Sequence, residues 1–156
     1  MDLHYRQATE TDIPVLIELL ADDSLGKLRE DHRIPVNPCY LTAMQHIEND
    51  PNNELTVVEF GGDIVGMLQL TFIPYLTYKG SWRCLIEGVR IKQEFRGKGL
   101  GTTFFEWAIE RAKERRCHIV QLTSDKQRGG AIRFYERLGF RASHEGFKLK
   151  LNNDED

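Results

Sequence analysis

Basic residues are not in excess in this sequence, cysteine is scarce, and no long apolar run occurs. With 21 Lys and Arg against 24 Asp and Glu the formal net charge is −3, so no general positive field gathers nucleic acid or an acidic membrane surface. Neither partner is expected, and an anionic ligand would need a local site. The three cysteines, Cys39, Cys84 and Cys117, are odd in number, lie far apart and form no CxxC or Cys/His metal spacing, which fits reduced, buried thiols. The five histidines show no HxxxH or HExxH spacing, so no metal is expected. No apolar run approaches the ~18 residues that span a bilayer, and Met1-Asp2-Leu3-His4-Tyr5-Arg6 lacks the basic start and apolar core of a signal peptide. These absences lead to the expectation of a cytoplasmic protein. Internal repeats, low-complexity segments and interdomain linkers are missing too.

What is present is the composition of an ordinary folded chain: 156 residues, 40% hydrophobic and 29% charged. That length suits one core, and the expectation is a single domain over residues 1–156.

Residues 3–7 read as a first strand. Thr9 or Thr11 can cap a helix whose Ile13, Leu16, Ile17 and Leu20 recur at helical spacing. Residues 23–38 are polar and proline-punctuated, and Tyr40, Leu41, Met44 and Ile47 suggest a second helix stopped by Asn49-Asp50-Pro51. Three strands follow over 55–60, 64–73 and 82–91, with a tight turn at Gly61-Gly62-Asp63. Leu100, Phe104, Phe105, Ala108, Ile109 and Ala112 stripe a longer helix. It ends in Lys113-Glu114-Arg115-Arg116, favourable against the carboxyl-end dipole and needing no nucleic acid to explain it. A strand over 119–123 and a short helix with Ala131, Phe134, Tyr135 and Leu138 on one face, stopped by Gly139, come next. Residues 140–142 and 147–151 are expected to form a final hairpin, with 152–156 frayed. The fold class is α+β: a mixed, mostly antiparallel sheet of about seven strands flanked by about four helices, in the order β-α-α-β-β-β-α-β-α-β-β.

One segment carries chemistry. After the strand ending at Ile91, Arg96-Gly97-Lys98-Gly99-Leu100-Gly101 places three glycines at alternate positions where the next helix begins. Glycine takes the positive φ angles that turn successive N–H groups toward one point, and a helix amino terminus adds unpaired donors and partial positive charge. Such a turn binds phosphate, and Arg96 and Lys98 add charge to it. A Walker A loop is absent, and a Rossmann GxGxxG starting at Gly97 fails at Thr102.

The pattern that fits is the Arg/Gln-x-x-Gly-x-Gly/Ala signature of the GNAT superfamily, and some thirty residues later the run from Ala131 to Phe140 resembles that family's A-x-x-F-Y-x-x-L-G-F segment. Two motifs in order, separated by a helix and a strand, make a specific signal. The resemblance is good over residues 57–149, plausible over 3–20 and positional only over 22–53. It implies a GNAT-like fold and an N-acetyltransferase that uses acetyl-CoA as acyl donor, with direct attack of a primary amine on the thioester.

By the same resemblance, the backbones of Val89 and Ile91, with Arg90 between them, should hold the pantetheine arm like an added strand. Residues Arg96, Gly97, Lys98, Gly99, Leu100, Gly101 and Thr102 should hold the pyrophosphate, with Phe134 alongside. Where many members carry an asparagine this chain reads Ser124-Asp125-Lys126-Gln127-Arg128; Ser124 or Asp125 stands in for that contact, and Arg128 is a candidate for phosphate. Glu87 matches the family's general base. Its strand position before Gly88 also suits a bulge that aims a side chain into a site, while the alternative is a sheet glutamate paired with Arg83 or Arg90. Tyr135 matches the family's general acid, which protonates the departing thiolate; the alternative is a core tyrosine on an apolar stripe. Cys84 or Cys117 as an acyl-carrying nucleophile lacks any nearby cue for an activating base.

The family's acceptor pocket would fall to residues 22–40 and 74–82. The first mixes Asp22, Asp23, Glu30 and Asp31 with Lys27, Arg29 and Arg33, and the second offers Tyr75, Tyr78 and Trp82 as walls. A small-molecule amine is favoured over a protein amine as acceptor, and the alternative from another class is a non-catalytic acyl-CoA-binding sensor or regulator. A homodimer is expected only from how commonly the family pairs.

Overall fold

The computed structural model describes residues 1–152. In chain order these form β1 (Leu3–Gln7), a 3-10 turn (Glu10–Asp12), α1 (Ile13–Ala21), α2 (Gly26–Arg29), α3 (Pro38–Glu48), β2 (Asn53–Phe60), β3 (Asp63–Pro74), α4 (Thr77–Gly80), β4 (Trp82–Ile91), a second 3-10 turn (Gln93–Phe95), α5 (Leu100–Glu114), β5 (Cys117–Gln121) and α6 (Ala131–Arg137). The α4 segment is one turn in which Tyr78 and Lys79 are left-handed.

The strands lie in sequence order, β1-β2-β3-β4-β5. The first four pair antiparallel, and β5 joins β4 in parallel. A parallel neighbour needs a long crossover, and α5 supplies it. Strand alternation divides the interior in two. On one face Val58, Leu68, Phe72 and Ile86 pack against Leu100, Phe104, Phe105 and Ala108 of α5. On the other, Leu55, Val57 and Met67 meet Ile13, Leu16 and Ile17 of α1 and Met44 of α3. The mixed α+β class expected from the pattern is the class observed.

Three expectations need correction. The polar stretch after α1 is not all loop, because α2 forms within it, its start held by the Asp23 carboxylate accepting from the Gly26 N–H. The final hairpin over 140–142 and 147–151 is not in the sheet, which has five strands among the described residues. Its pattern alternates as a strand should, but a strand also needs an edge to pair with. Phe147, Leu149 and Leu151 remain 93%, 85% and 93% exposed, and residues 141–149 make no backbone–backbone hydrogen bond among the described residues. Cys39, finally, is exposed, whereas Cys84 is buried. The frayed tail expected over 152–156 lies, beyond the exposed Asn152, outside the described residues.

Candidate active site

The site begins with a fault in β4. Across the β3 ladder Met67 faces Arg90 and Gln69 faces Glu87, so Gly88 and Val89 together stand opposite Leu68. This is a β-bulge, and Gly88 takes the positive φ (63°) that it requires. Before the bulge Cys84 and Ile86 face α5; after it Val89 and Ile91 do. Unbroken alternation would have sent Arg90 to that apolar face. The extra residue instead puts Arg90 on the same face as Glu87, toward α1 and α2.

Pairing on the other side of β4 stops before the bulge is reached. The β4–β5 register runs from Trp82↔Cys117 to Leu85↔Gln121 and stops, so from Ile86 onward β4 presents an open edge. Lys92 N–H reaches the Val65 carbonyl at 2.8 Å across β3, and alternation then points the N–H and C=O of Ile91 and Val89 outward along that edge. Both carbonyls already attract guanidinium groups: Arg90 Nη1 donates to Val89 O at 2.8 Å and Arg96 Nε to Ile91 O at 3.0 Å.

The open edge leads into the glycine turn. Gly97 (φ 74°) and Gly99 (φ 83°) are left-handed, and Gly99 sits at the N-cap of α5. The first backbone donor past the turn is Thr103, to Gly99 O at 3.1 Å; the N–H groups from Gly97 to Thr102 have no backbone acceptor among the described residues. A Cβ built on Gly97 or Gly99 would meet nothing within 4 Å, so the space over these amides is open. Six free donors beside a helix N-terminus are what a pyrophosphate needs, and the residues fit the family's acyl donor. Arg96 turns its guanidinium away, to Ile91 and, at 3.5 Å, Asp22. Lys98 lies over the Phe95 ring, 6.0 Å from its centroid. Phe134 backs the turn, its Cζ 3.5 Å from a Cβ built on Gly101.

Beside the edge is a charged cluster that the sequence does not reveal. Asp23, in the loop after α1, meets Arg128, between β5 and α6, at 2.5 Å and Arg90 at 3.5 Å. The latter distance is too long for a hydrogen bond, and Arg90 Nε is buried without one. Burial pushes the Asp23 carboxyl up, but Arg128, the Gly26 N–H and Arg90 outweigh it and hold the group below the usual carboxylate range. Burial also lowers the Arg90 pKa, with Asp23 opposing. The only advance sign of Asp23 was an acidic pair after the first helix, indistinguishable there from a solvated loop.

Tyr135 lies against Phe105 and Phe134, with ring centroids 5.5 and 5.4 Å away. Burial pushes its phenol above the ordinary value, and the Arg128 and Arg90 charges pull the other way, so both guanidinium groups are electrostatic neighbours of the ring. Glu87 is exposed and makes no hydrogen bond or ion pair among the described residues. The ion pair offered as its alternative role does not form: Arg83 donates to Gln121 at 3.2 Å and lies over the Tyr75 ring at 4.3 Å, and Arg90 is with Asp23.

Ser124 is half-buried, while Asp125 folds back on its own loop, accepting from Gln127 N at 2.8 Å. Arg128 is engaged with Asp23 and not with the glycine turn. Tyr75 and Tyr78 gather around Arg83 at the far end of β4 from Glu87. A shallow concavity opens over Arg29, Glu30, Asp31, His32 and Arg33. Cys84 is pushed up to about 12, mainly by burial, which leaves it no thiolate for nucleophilic work at neutral pH. Among the described residues no cluster could hold a metal ion, and no helix is long and apolar enough to cross a membrane.

The acetyltransferase (GNAT) family model matches residues 22–140, and the chain belongs to this family. Aminoalkylphosphonate N-acetyltransferase of Salmonella typhimurium is 29% identical over 102 residues, 65% of this chain and 66% of that protein. Glucosamine 6-phosphate N-acetyltransferase of Trypanosoma brucei brucei is 34% identical over 90 residues, 58% of this chain and 59% of that protein. The chain thus spans 66% and 59% of the length of these two curated relatives, less than two thirds of either. Among solved structures, a protein from Bacillus halodurans C-125 described as a transcriptional regulator is 55% identical, with a TM-score of 0.93 over 96% of this chain and 100% of that one.

Proposed function

We propose that this protein transfers the acetyl group of acetyl-CoA to a primary amine of a small molecule that also bears a phosphate or phosphonate. The observation that carries the reading is the open edge of β4, running from the Gly88 bulge into six unpartnered amides at the start of α5. Acetyl-CoA supplies an activated thioester carbonyl. Val89 and Ile91 offer outward backbone groups to an extended amide chain, and the glycine turn offers donors to a pyrophosphate.

The chemistry then needs a base and an acid. The amine nitrogen forms a bond to the carbonyl carbon, the carbon–sulfur bond breaks, one amine proton leaves and the thiolate gains one. Glu87, exposed and without an ion-pair partner among the described residues, is available to take the amine proton directly or through water. Tyr135, a phenol protonated at neutral pH even at its ordinary value and raised further by burial, is the donor to sulfur.

The acceptor class rests on two supports. Both curated relatives act, by name, on amines that carry a phosphorus oxyanion. Here the face of β4 that bears Glu87 also bears Arg90, joined by Arg128, with Asp23 as their shared carboxylate. Two guanidinium groups on one carboxylate leave a cation over, and planar guanidinium suits phosphate.

A second reading, an acyl-CoA-binding regulator without catalysis, is favoured by the description of the Bacillus halodurans protein; it would use the glycine turn and dispense with Glu87 and Tyr135. Calorimetric titration with acetyl-CoA, beside Gly99→Glu, tests the shared foundation. Micromolar binding, about −8 kcal/mol, lost in a variant that stays folded by circular dichroism, is expected. Thiol release is then followed with an aminoalkylphosphonate, glucosamine 6-phosphate and glucosamine. Turnover of the phosphorus-bearing amines supports the enzyme, binding without turnover of any amine favours the regulator, and no binding overturns both.

A further inference from the structure

Three buried polar side-chain atoms among the described residues have no hydrogen-bond partner: Ser81 Oγ, Arg83 Nε and Arg90 Nε. Arg90 belongs to the cluster beside the open edge, but the other two lie two residues apart in extended backbone at the start of β4, so they share a face. In the register Arg83 stands between Ile73 of β3 and Ile119 of β5, and Leu85 follows it on the same face. These three apolar side chains are half-buried and lie outside both cores. Arg83 thus rests a full positive charge on a hydrocarbon floor, with no carboxylate in ion-pair reach among the described residues. Charge drawn away from water without a partner is a standing cost.

What surrounds the guanidinium is aromatic. It lies over the Tyr75 ring at 4.3 Å and over the Tyr78 ring at 5.3 Å, and Nη1 donates to Gln121 at 3.2 Å. The other edge, Nε with Nη2, has no acceptor among the described residues. That edge is the two-donor fork that matches a carboxylate or phosphate. Two local distortions build the walls. Tyr78 and Lys79 are left-handed, at φ 52° and 62°, a conformation that is costly for residues other than glycine and is found where a site demands it. In β5 His118 is an extra residue, because Trp82 faces Cys117 while Arg83 already faces Ile119. Its ring meets that of Tyr78 at 5.7 Å.

We propose that Arg83, walled by Tyr75 and Tyr78, binds the oxyanion of a small molecule, a carboxylate or a phosphoryl group, through its Nε/Nη2 edge. The Nε–H is screened from solvent, so the oxyanion reaches it only when a wall moves. Tyr78, 61% exposed on its strained turn, is the wall that can. The site is separate from the Arg90–Asp23–Arg128 cluster: Arg83 and Arg90 stand at opposite ends of β4, roughly 20 Å apart at about 3.3 Å per residue. One oxyanion cannot serve both. Binding here needs no acetyl transfer, and the inference stands apart from that reading.

The test follows the Nε–Hε resonance of Arg83 by NMR on the full chain, identified by its disappearance in Arg83→Lys. Acetate, benzoate and inorganic phosphate are titrated separately, with chloride at matched ionic strength as the reference. The expected result is a saturable downfield shift at millimolar concentration with at least one oxyanion, accompanied by the Tyr78 amide. Followed at that amide, Arg83→Gln should bind about 10- to 100-fold more weakly. Tyr78→Ala, at an exposed position, should weaken binding at the Arg83 resonance while the fold holds. A response to carboxylates or to phosphate supports the site, and the stronger of the two names the ligand's head group. No shift beyond that of chloride, or unchanged affinity in Arg83→Gln, overturns the proposal. If Arg83→Gln does not fold, the wild-type titration and Tyr78→Ala decide, and affinity that ignores the loss of Tyr78 overturns the walled site.

Discussion

Arg128 Nη1 and Asp23 Oδ2, 105 positions apart in the chain, meet at 2.5 Å and so tie the loop before α6 to the loop after α1 across the open edge of β4. The same carboxylate faces Arg90 on the strand between them. Three segments distant in the chain are thereby held in one electrostatic unit.

If those guanidinium groups receive an oxyanion, Arg90→Ala and Arg128→Ala should each lower the ratio of kcat/KM for glucosamine 6-phosphate to that for glucosamine. A charge-assisted hydrogen bond of roughly 1.5–3 kcal/mol corresponds to about 10- to 100-fold. Steady-state kinetics on the two sugars checks it, and an unchanged ratio would remove the acceptor assignment.

Tyr135→Phe keeps the ring that packs on Phe105 and Phe134, so thermal stability should hardly move. Loss of the acid should lower kcat by about 10²- to 10⁴-fold. If Tyr135 is the acid, its protonated phenol is the working form; with its pKa raised above the ordinary value of 10.0 by burial, activity should persist past the ordinary tyrosine range and fall as pH rises through the shifted value. A pH profile of kcat in both proteins reads this directly.

Glu87→Gln, at an exposed position without an ion pair among the described residues, should fold as the parent does and retain acetyl-CoA affinity in calorimetry. Its kcat should drop by about 10²- to 10⁴-fold. Wild-type turnover in this variant would return the base role to a water chain or another group.

Stability at acid pH should depend on Asp12. It accepts from both terminal nitrogens of Arg6, at 2.8 and 2.9 Å, and from Thr9 N at 2.8 Å. The Arg6 bonds above all hold its carboxyl below the ordinary range, despite burial. A depressed folded pKa gives stability that is fully present above the unfolded value of about 3.9 and is lost as pH falls through the folded one. Asp12→Asn should cost about 1–3 kcal/mol at neutral pH, and melting curves of the two proteins should converge below about pH 4.

Much of this was legible in advance because it is local. The strands expected over 55–60, 64–73 and 82–91 and the stripe on α5 follow from side-chain periodicity, and the glycine turn follows from residue spacing. The possibility of a bulge was legible from a glycine beside a charged residue in a strand. Its effect on Arg90 was not, since facing depends on how many residues oppose Leu68. Asp23 could not be paired with Arg128 from sequence, because two charges in separate loops carry no mark of meeting. The pattern over 147–151 alternates as a strand does, but pairing depends on an edge that spacing cannot name, and that is where the expected hairpin failed.

Gly88 makes β4 a strand of mixed parity. Up to Ile86 the even-numbered residues belong to the α5 core; from Val89 the odd-numbered ones do. Smoothing the bulge out without shortening the chain would impose a single parity and exchange the roles of the last three positions at a stroke, driving Arg90 into hydrocarbon and Val89 and Ile91 out of it. No gradual path joins the two arrangements. A point substitution elsewhere in this strand can tune the site, but one that denies Gly88 its positive φ sets the core and the site against each other at once, so residue identity at Gly88 should be far less negotiable than anywhere else along β4.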